Sequence, residues 1–131
     1  MPAAFRARRV QSFFRAAVLT SYDCRCAISG LALPELLVAS HIIAWADSVE
    51  RRADPTNGIC LNALFDRAFD RGLMTFDQDL RVVVSKRLKD AADAADLACS
   101  LREAAGRPLT IPRRFAPAAD ALEAHRRRFL R

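Results

Sequence analysis

Residues 36–72 constrain this chain most. "LLVASHII" (36–43) is rich in apolar and β-branched residues and reads as a strand. "ADSVERRADPTNG" (46–58) is polar and holds Pro55 and an Asn-Gly pair, so it reads as a loop. That loop is long for a small domain, and long loops often carry function. "ICL" is too short to assign alone but supplies a second strand. Asn62 then stands as the N-cap of a helix over 63–71, with Gly72 in its stop position. The centre is therefore strand, long loop, short strand, helix.

Around it, Val10, Phe13, Phe14, Ala17, Val18 and Tyr22 recur at helical spacing, which predicts an amphipathic helix over 5–21 with these residues facing the core. "CAISG" reads as a short strand running into a turn at Gly30, and "LMTFDQDLRVVVS" as a hairpin with "DQD" as its turn. Residues 86–105 are alanine-rich and helical in pattern, stopping at Gly106. "RPLTIPRRFAP" is extended, because each proline disfavours helix at the residue before it. A last helix is expected over about 118–130. No repeat or linker divides the 131 residues, so they read as one α+β domain with a core over about 24–85.

Apolar content of 52% is ample for a folded core. No apolar run approaches the roughly 20 residues that span a bilayer. The basic start, "MPAAFRARRVQSFFRAAVLTSY", is interrupted by arginines and reads as an integral helix rather than a leader. The net charge of +6 gathers near the ends, at Arg6, Arg8, Arg9 and Arg15, then at Arg113, Arg114, Arg126, Arg127, Arg128 and Arg131. Such a surface attracts polyanions, of which nucleic acid is the commonest. Cys24, Cys26, Cys60 and Cys99 form neither a disulfide framework nor paired C-x2-C knuckles. Cys60 and Cys99 read as buried thiols, and the set points to a reducing, cytoplasmic setting.

The polar residues of the central block make a pattern. His41 lies on the strand, Asn57 closes the loop, and Asp66 and Asp70 share one face of the helix. Two carboxylates on one face repel, and a hard divalent cation such as Mg²⁺ or Mn²⁺ relieves the repulsion. Each residue also has an ordinary reading: a core histidine, a turn asparagine, aspartates paired with neighbouring arginines. Trp45 reads as a core or rim aromatic, and His125, in "EAHRRRF", as a surface or packing histidine.

The order His, Asn, then a ligand on a helix resembles the HNH endonuclease family, whose core is the ββα-metal fold. The phrases "RCAISG", "ASHIIAW", "DPTNGICLNAL" and "FDRAFDRGL" are similar to a branch found among prokaryotic restriction-type nucleases. "FAPAADALEAHRRRF" is similar to that branch's closing helix. The family pattern places a metal ligand nine positions after the asparagine, and Asn57 plus nine is Asp66.

The resemblance implies His41 as general base, Asn57 as the residue fixing its orientation, and Asp66 and Asp70 as ligands of one Mg²⁺ or Mn²⁺ ion. It implies hydrolysis of DNA, with duplex as the expected form, leaving a 5′ phosphate. Arg67 and Arg71, about 100° around the helix from the carboxylates, are expected to reach phosphates. Arg113, Arg114, Arg126, Arg127 and Arg128 are expected to hold the DNA backbone. Sequence selectivity would need a homodimer or a separate specificity partner.

Three positions depart from the family pattern. "CAISG" stands where relatives carry C-x2-C, so no structural zinc is expected. Ser40 stands where many carry Asp or His. Leu64 and Phe65 stand where a histidine is common. A second reading is therefore a scaffold of weak or lost activity that binds DNA or a partner. An RNA-directed nuclease is a third.

Overall fold

The computed structural model describes residues 3–91 and 97–129. The first helix, α1 (Ala3–Ser21), packs on an antiparallel ribbon of β1 (Leu37–His41) and β2 (Gly58–Asn62). Helix α2 (Ala63–Asp70) follows directly and packs on the same ribbon. This is the ββα unit of an α+β, ββα-metal fold.

Strand alternation separates the two helices. In the ribbon, Ser40 pairs with Ile59 and His41 with Gly58. Successive side chains point to opposite faces. The His41 ring lies on Phe14 of α1, whereas the Ser40 hydroxyl meets Asp66 of α2. The ribbon is thus the middle layer between α1 and α2. Gly58 lets α1 approach closely, since a Cβ there would lie 2.5 Å from Val18 and 2.7 Å from Phe14.

Asn62 caps α2 as expected, its side-chain oxygen accepting from the Phe65 N–H, and Gly72 takes a left-handed φ of 74° after the helix. Strands β3 (Met74–Phe76) and β4 (Val82–Val84) form the expected hairpin. At its tip, Asp77 Oδ1 accepts from the N–H groups of Asp79 and Arg81. Helix α5 (Ala119–Arg127) packs on β3. Phe14, Ile42, Ile59, Leu61, Phe69, Met74 and Phe76 fill the core.

Four details differ from expectation. "CAISG" forms a turn rather than a strand: the Gly30 N–H bonds back to the Cys26 carbonyl at 2.9 Å, and the Ser29 N–H meets Cys26 Sγ at 3.4 Å. Those local bonds turn the chain back on itself, and the backbone of this segment bonds outward to β2 at Ala27, whose N–H reaches the Cys60 carbonyl at 2.8 Å. Phe13 is 58% exposed. It lies next to Phe14, and side chains one residue apart point about 100° away from each other, so only Phe14 meets the ribbon.

The helix expected over 86–105 is not continuous. Helix α3 (Lys86–Lys89) ends at its cap Asp90, and α4 spans Leu97–Glu103. Arg102 donates to the carbonyls of Leu88 and Ala91, satisfying the end of α3 from α4. The part of that expectation over 92–96 lies outside the described residues, as does residue 130 of the last helix. Cys99 is half-exposed rather than buried, and its thiol meets Glu103.

Candidate active site

His41 ends β1, where the ribbon opens into the polar loop. Its ring stacks flat on Phe14, with centroids 3.8 Å apart and planes at 10°. Trp45 meets it edge-on at 6.0 Å. Nε2 lies 3.1 Å from the Arg52 carbonyl. A carbonyl only accepts, so Nε2 carries the proton and Nδ1 keeps its lone pair. Burial pushes the ring's pKa below its usual value, partly offset by the Arg52 carbonyl and the charge of Asp66. The imidazole is therefore neutral at neutral pH, with a free acceptor nitrogen.

Asn57 is 1% exposed and braces the loop rather than the ring. Its Oδ1 accepts from the Ile43 N–H at 2.9 Å, and its Nδ2 donates to the carbonyls of Ile43 at 3.0 Å and Arg51 at 3.4 Å. It ties the loop's start to the residue before Arg52, whose carbonyl holds His41. Asp54 shapes the turn that presents Asn57, accepting from the N–H and hydroxyl of Thr56.

Across the ribbon, the buried Ser40 hydroxyl donates to Asp66 Oδ1 at 2.7 Å. Asp66 is half-buried. Burial raises its pKa most, the Ser40 bond opposes that rise, and Asp70 adds to it. Asp70, one turn on, is exposed, with Arg71 Nε 3.9 Å from its carboxylate. Phe65, the residue before Asp66, is a core residue only 4% exposed. Among the described residues, no three His, Cys, Asp or Glu side chains form a metal-holding group.

The arginines divide by contact. Arg128 Nη2 donates to the Asp70 carbonyl at 3.1 Å, which brings the end of α5 to the carboxylate end of α2. Arg126 donates to the Phe76 carbonyl at 3.1 Å. Arg127 pairs with Glu123 and Arg113 with Asp23, while Arg114 lies over the Phe115 ring. Arg67 is exposed on α2. His125 is a packing residue: it stacks on Phe69 at 3.7 Å, accepts from Thr75 and donates to the Phe69 carbonyl. Burial pulls its pKa down to about 4.

Sequence reasoning missed Arg52 and Phe14 as partners of His41. Neither carries a local motif, because one acts through its carbonyl and the other through a ring on a distant helix.

A profile described as HNH endonuclease matches residues 26–77, which contain His41, Asn57, Asp66 and Asp70. No curated protein matches the chain. Among solved structures, a modification-dependent TagI restriction endonuclease is similar, with a TM-score of 0.60 and 18% identity. The similarity covers 88% of this chain and 37% of that one, so the chain spans little more than a third of that relative's length. Residues 26–77 are thus similar to HNH endonucleases, and the chain as a whole shares a fold with the TagI enzyme.

Proposed function

We propose that the chain is a divalent-metal-dependent endonuclease that hydrolyses phosphodiester bonds of double-stranded DNA, with His41 as general base. The observation that carries this reading is the single hydrogen bond from His41 Nε2 to the Arg52 carbonyl. It leaves Nδ1 free to take a proton, and the low pKa keeps it unprotonated at neutral pH. Water attacks phosphorus as its proton passes to Nδ1, and the P–O3′ bond breaks, with O3′ taking a proton from solvent. The products are a 5′ phosphate and a 3′ hydroxyl. The imidazolium formed is stabilised by the Arg52 carbonyl and by the charge of Asp66.

Asp66 and Asp70 would hold one Mg²⁺ or Mn²⁺ ion. The donor set fits a hard, hydrated cation, which takes one or two carboxylates and completes its shell with water and substrate phosphate. Asp66 supports the fit, because burial and Asp70 both disfavour its charge and a cation would favour it. When bound, the ion supplies positive charge to the phosphate as negative charge builds there. Exposed Arg67 and Arg71 on the same helix suit neighbouring phosphates, and Arg128 stands at its end. Arg113, Arg114, Arg126 and Arg127 extend the basic surface that would hold the duplex.

The TagI relative is a modification-dependent restriction endonuclease. By analogy we read this chain as restriction-type, its selectivity supplied by a second copy or a separate partner. Its four cysteines are free thiols, in keeping with a reducing cytoplasm. One observation favours the alternative of a scaffold with weak or lost catalysis: Ser40 stands in place of a ligand and already occupies one oxygen of Asp66.

Plasmid nicking by purified protein in Mg²⁺ or Mn²⁺, with and without chelator, tests the proposal. Nicking is expected with metal and lost on chelation, and in His41→Ala and Asp66→Ala. Nicking that His41→Ala leaves intact overturns the assignment of the base. DNA binding without nicking in any divalent metal favours the scaffold.

A further inference from the structure

The loop from Trp45 to Arg52 closes on itself through one side chain. Arg52 Nε donates to the Trp45 carbonyl at 2.7 Å, and its guanidinium carbon lies 4.7 Å over the Trp45 ring. The pair therefore has a charged hydrogen bond and a cation–π contact between the same two residues. Each end of this clamp also touches His41: the Trp45 ring meets it edge-on, and the Arg52 carbonyl accepts from its Nε2.

On the side of α1, the loop meets a cleft rather than close packing. A cleft of about 380 Å³ separates part of it from α1, bordered by Val10 on one side and Trp45, Val49 and Arg52 on the other. Val49, at the loop's crest, is 72% exposed. Next to Arg52, the Arg51 side chain pairs with Asp120 of α5, while the Arg52 N–H reaches the Val49 carbonyl at 3.4 Å and Asn57 reaches the Arg51 carbonyl at 3.4 Å. Of the bonds that Arg52 itself makes, the shortest is the one its side chain makes to Trp45.

We propose that Arg52 is a positioning residue: clamped on Trp45, its side chain aims its own carbonyl at His41 and so fixes the ring's orientation and tautomer. The Arg52 carbonyl admits only the tautomer with hydrogen on Nε2. If the carbonyl swings away, the ring keeps its place on Phe14 but loses the reason to prefer that tautomer. With hydrogen on Nδ1, the nitrogen proposed to face water has no lone pair to offer. The inference rests on the proposed function only for its kinetic consequence.

The test compares wild type, Arg52→Ala and Arg52→Lys in the folded state. The ¹⁵N shifts of the His41 ring report the tautomer directly, and plasmid nicking gives kcat and KM. Wild type is expected to show a single Nε2–H tautomer. Arg52→Ala should mix the tautomers and lower kcat by roughly tenfold or more, as small misplacements do, with KM much less affected. Arg52→Lys keeps a cationic donor and should recover part of both. Should Arg52→Ala fail to fold, Trp45→Leu removes the other half of the clamp and is expected to mix the tautomers too. An unchanged His41 tautomer in the folded variant overturns the proposal, as does a loss confined to KM, which would make Arg52 a DNA contact. If wild type nicks no DNA, the proposed function falls, and the ring shifts still decide the positioning role.

Discussion

Ser40 and Asp66 are 26 residues apart in sequence and joined by a 2.7 Å hydrogen bond across the ribbon–helix interface. A hydrogen bond to a charged group contributes about 1.5–3 kcal/mol. Ser40→Ala removes it and leaves a half-buried carboxylate without that donor. The variant should lose stability of that order in urea unfolding, and the pKa of Asp66 should rise further in ¹³C-detected titration. Ser40→Asp places a second negative charge there instead. Without metal it should be less stable than Ser40→Ala, and Mn²⁺ should raise its melting temperature more than that of wild type.

Gly58→Ala tests the contact between α1 and β2. The added methyl meets Val18 and Phe14 well inside normal contact distance. Overpacking of this kind costs about 1–3 kcal/mol. Phe14 must shift, and it carries the His41 ring, so nicking should fall even at temperatures where circular dichroism shows the variant fully folded.

His125 makes stability depend on pH. Its folded pKa is about 4, against an ordinary 6.5. Between these values the unfolded chain binds the proton and the folded chain does not, so stability falls as pH drops from 6.5 towards 4. The full loss is roughly 3 kcal/mol. Urea unfolding across this window should show that slope, and His125→Gln should flatten it while lowering stability at pH 7.

Activity should have a different pH signature. As the proposed base, His41 would work unprotonated, and burial sets its pKa below the usual 6.5. The acid limb of kcat/KM should therefore fall below pH 6.5, with the rate maintained at neutral pH. A limb centred above 6.5 would contradict the burial seen here.

Asn57→Asp exchanges an amide donor for a group that only accepts. The carboxylate would face the carbonyls of Ile43 and Arg51, which now receive Nδ2. A cost of about 1–3 kcal/mol is expected. Amide hydrogen exchange over residues 43–57 should speed up before exchange in β2 does.

How much was legible in the sequence depends on how local each signal is. Asn62 as cap, Gly72 as stop and the Asp77 turn all act within a few residues, and each formed as its sequence implied. The order of His41, Asn57, Asp66 and Asp70 was readable because spacing on strand, loop and helix is itself local. Their distant partners were not. Nothing near His41 names Phe14 or the Arg52 carbonyl, and nothing near Ser40 names Asp66. Phe13 and Phe14 show the limit of periodicity, since both fit one broad stripe and only the fold selects between them. The break after Lys89 was hidden because alanine-rich sequence favours helix throughout, while the contact that ends α3 comes from Arg102.

The last helix gives the molecule an order of assembly. Asp120 pairs with Arg51 on the loop, the Ala118 N–H bonds to Thr56, His125 bonds to the end of α2, and Arg128 caps Asp70. A chain emerging from the ribosome releases the histidine, the asparagine and both aspartates well before these braces. Until residues 118–128 are free, the loop and the carboxylate helix lack the contacts that join them. The proposed site would thus be assembled later than its own residues are made.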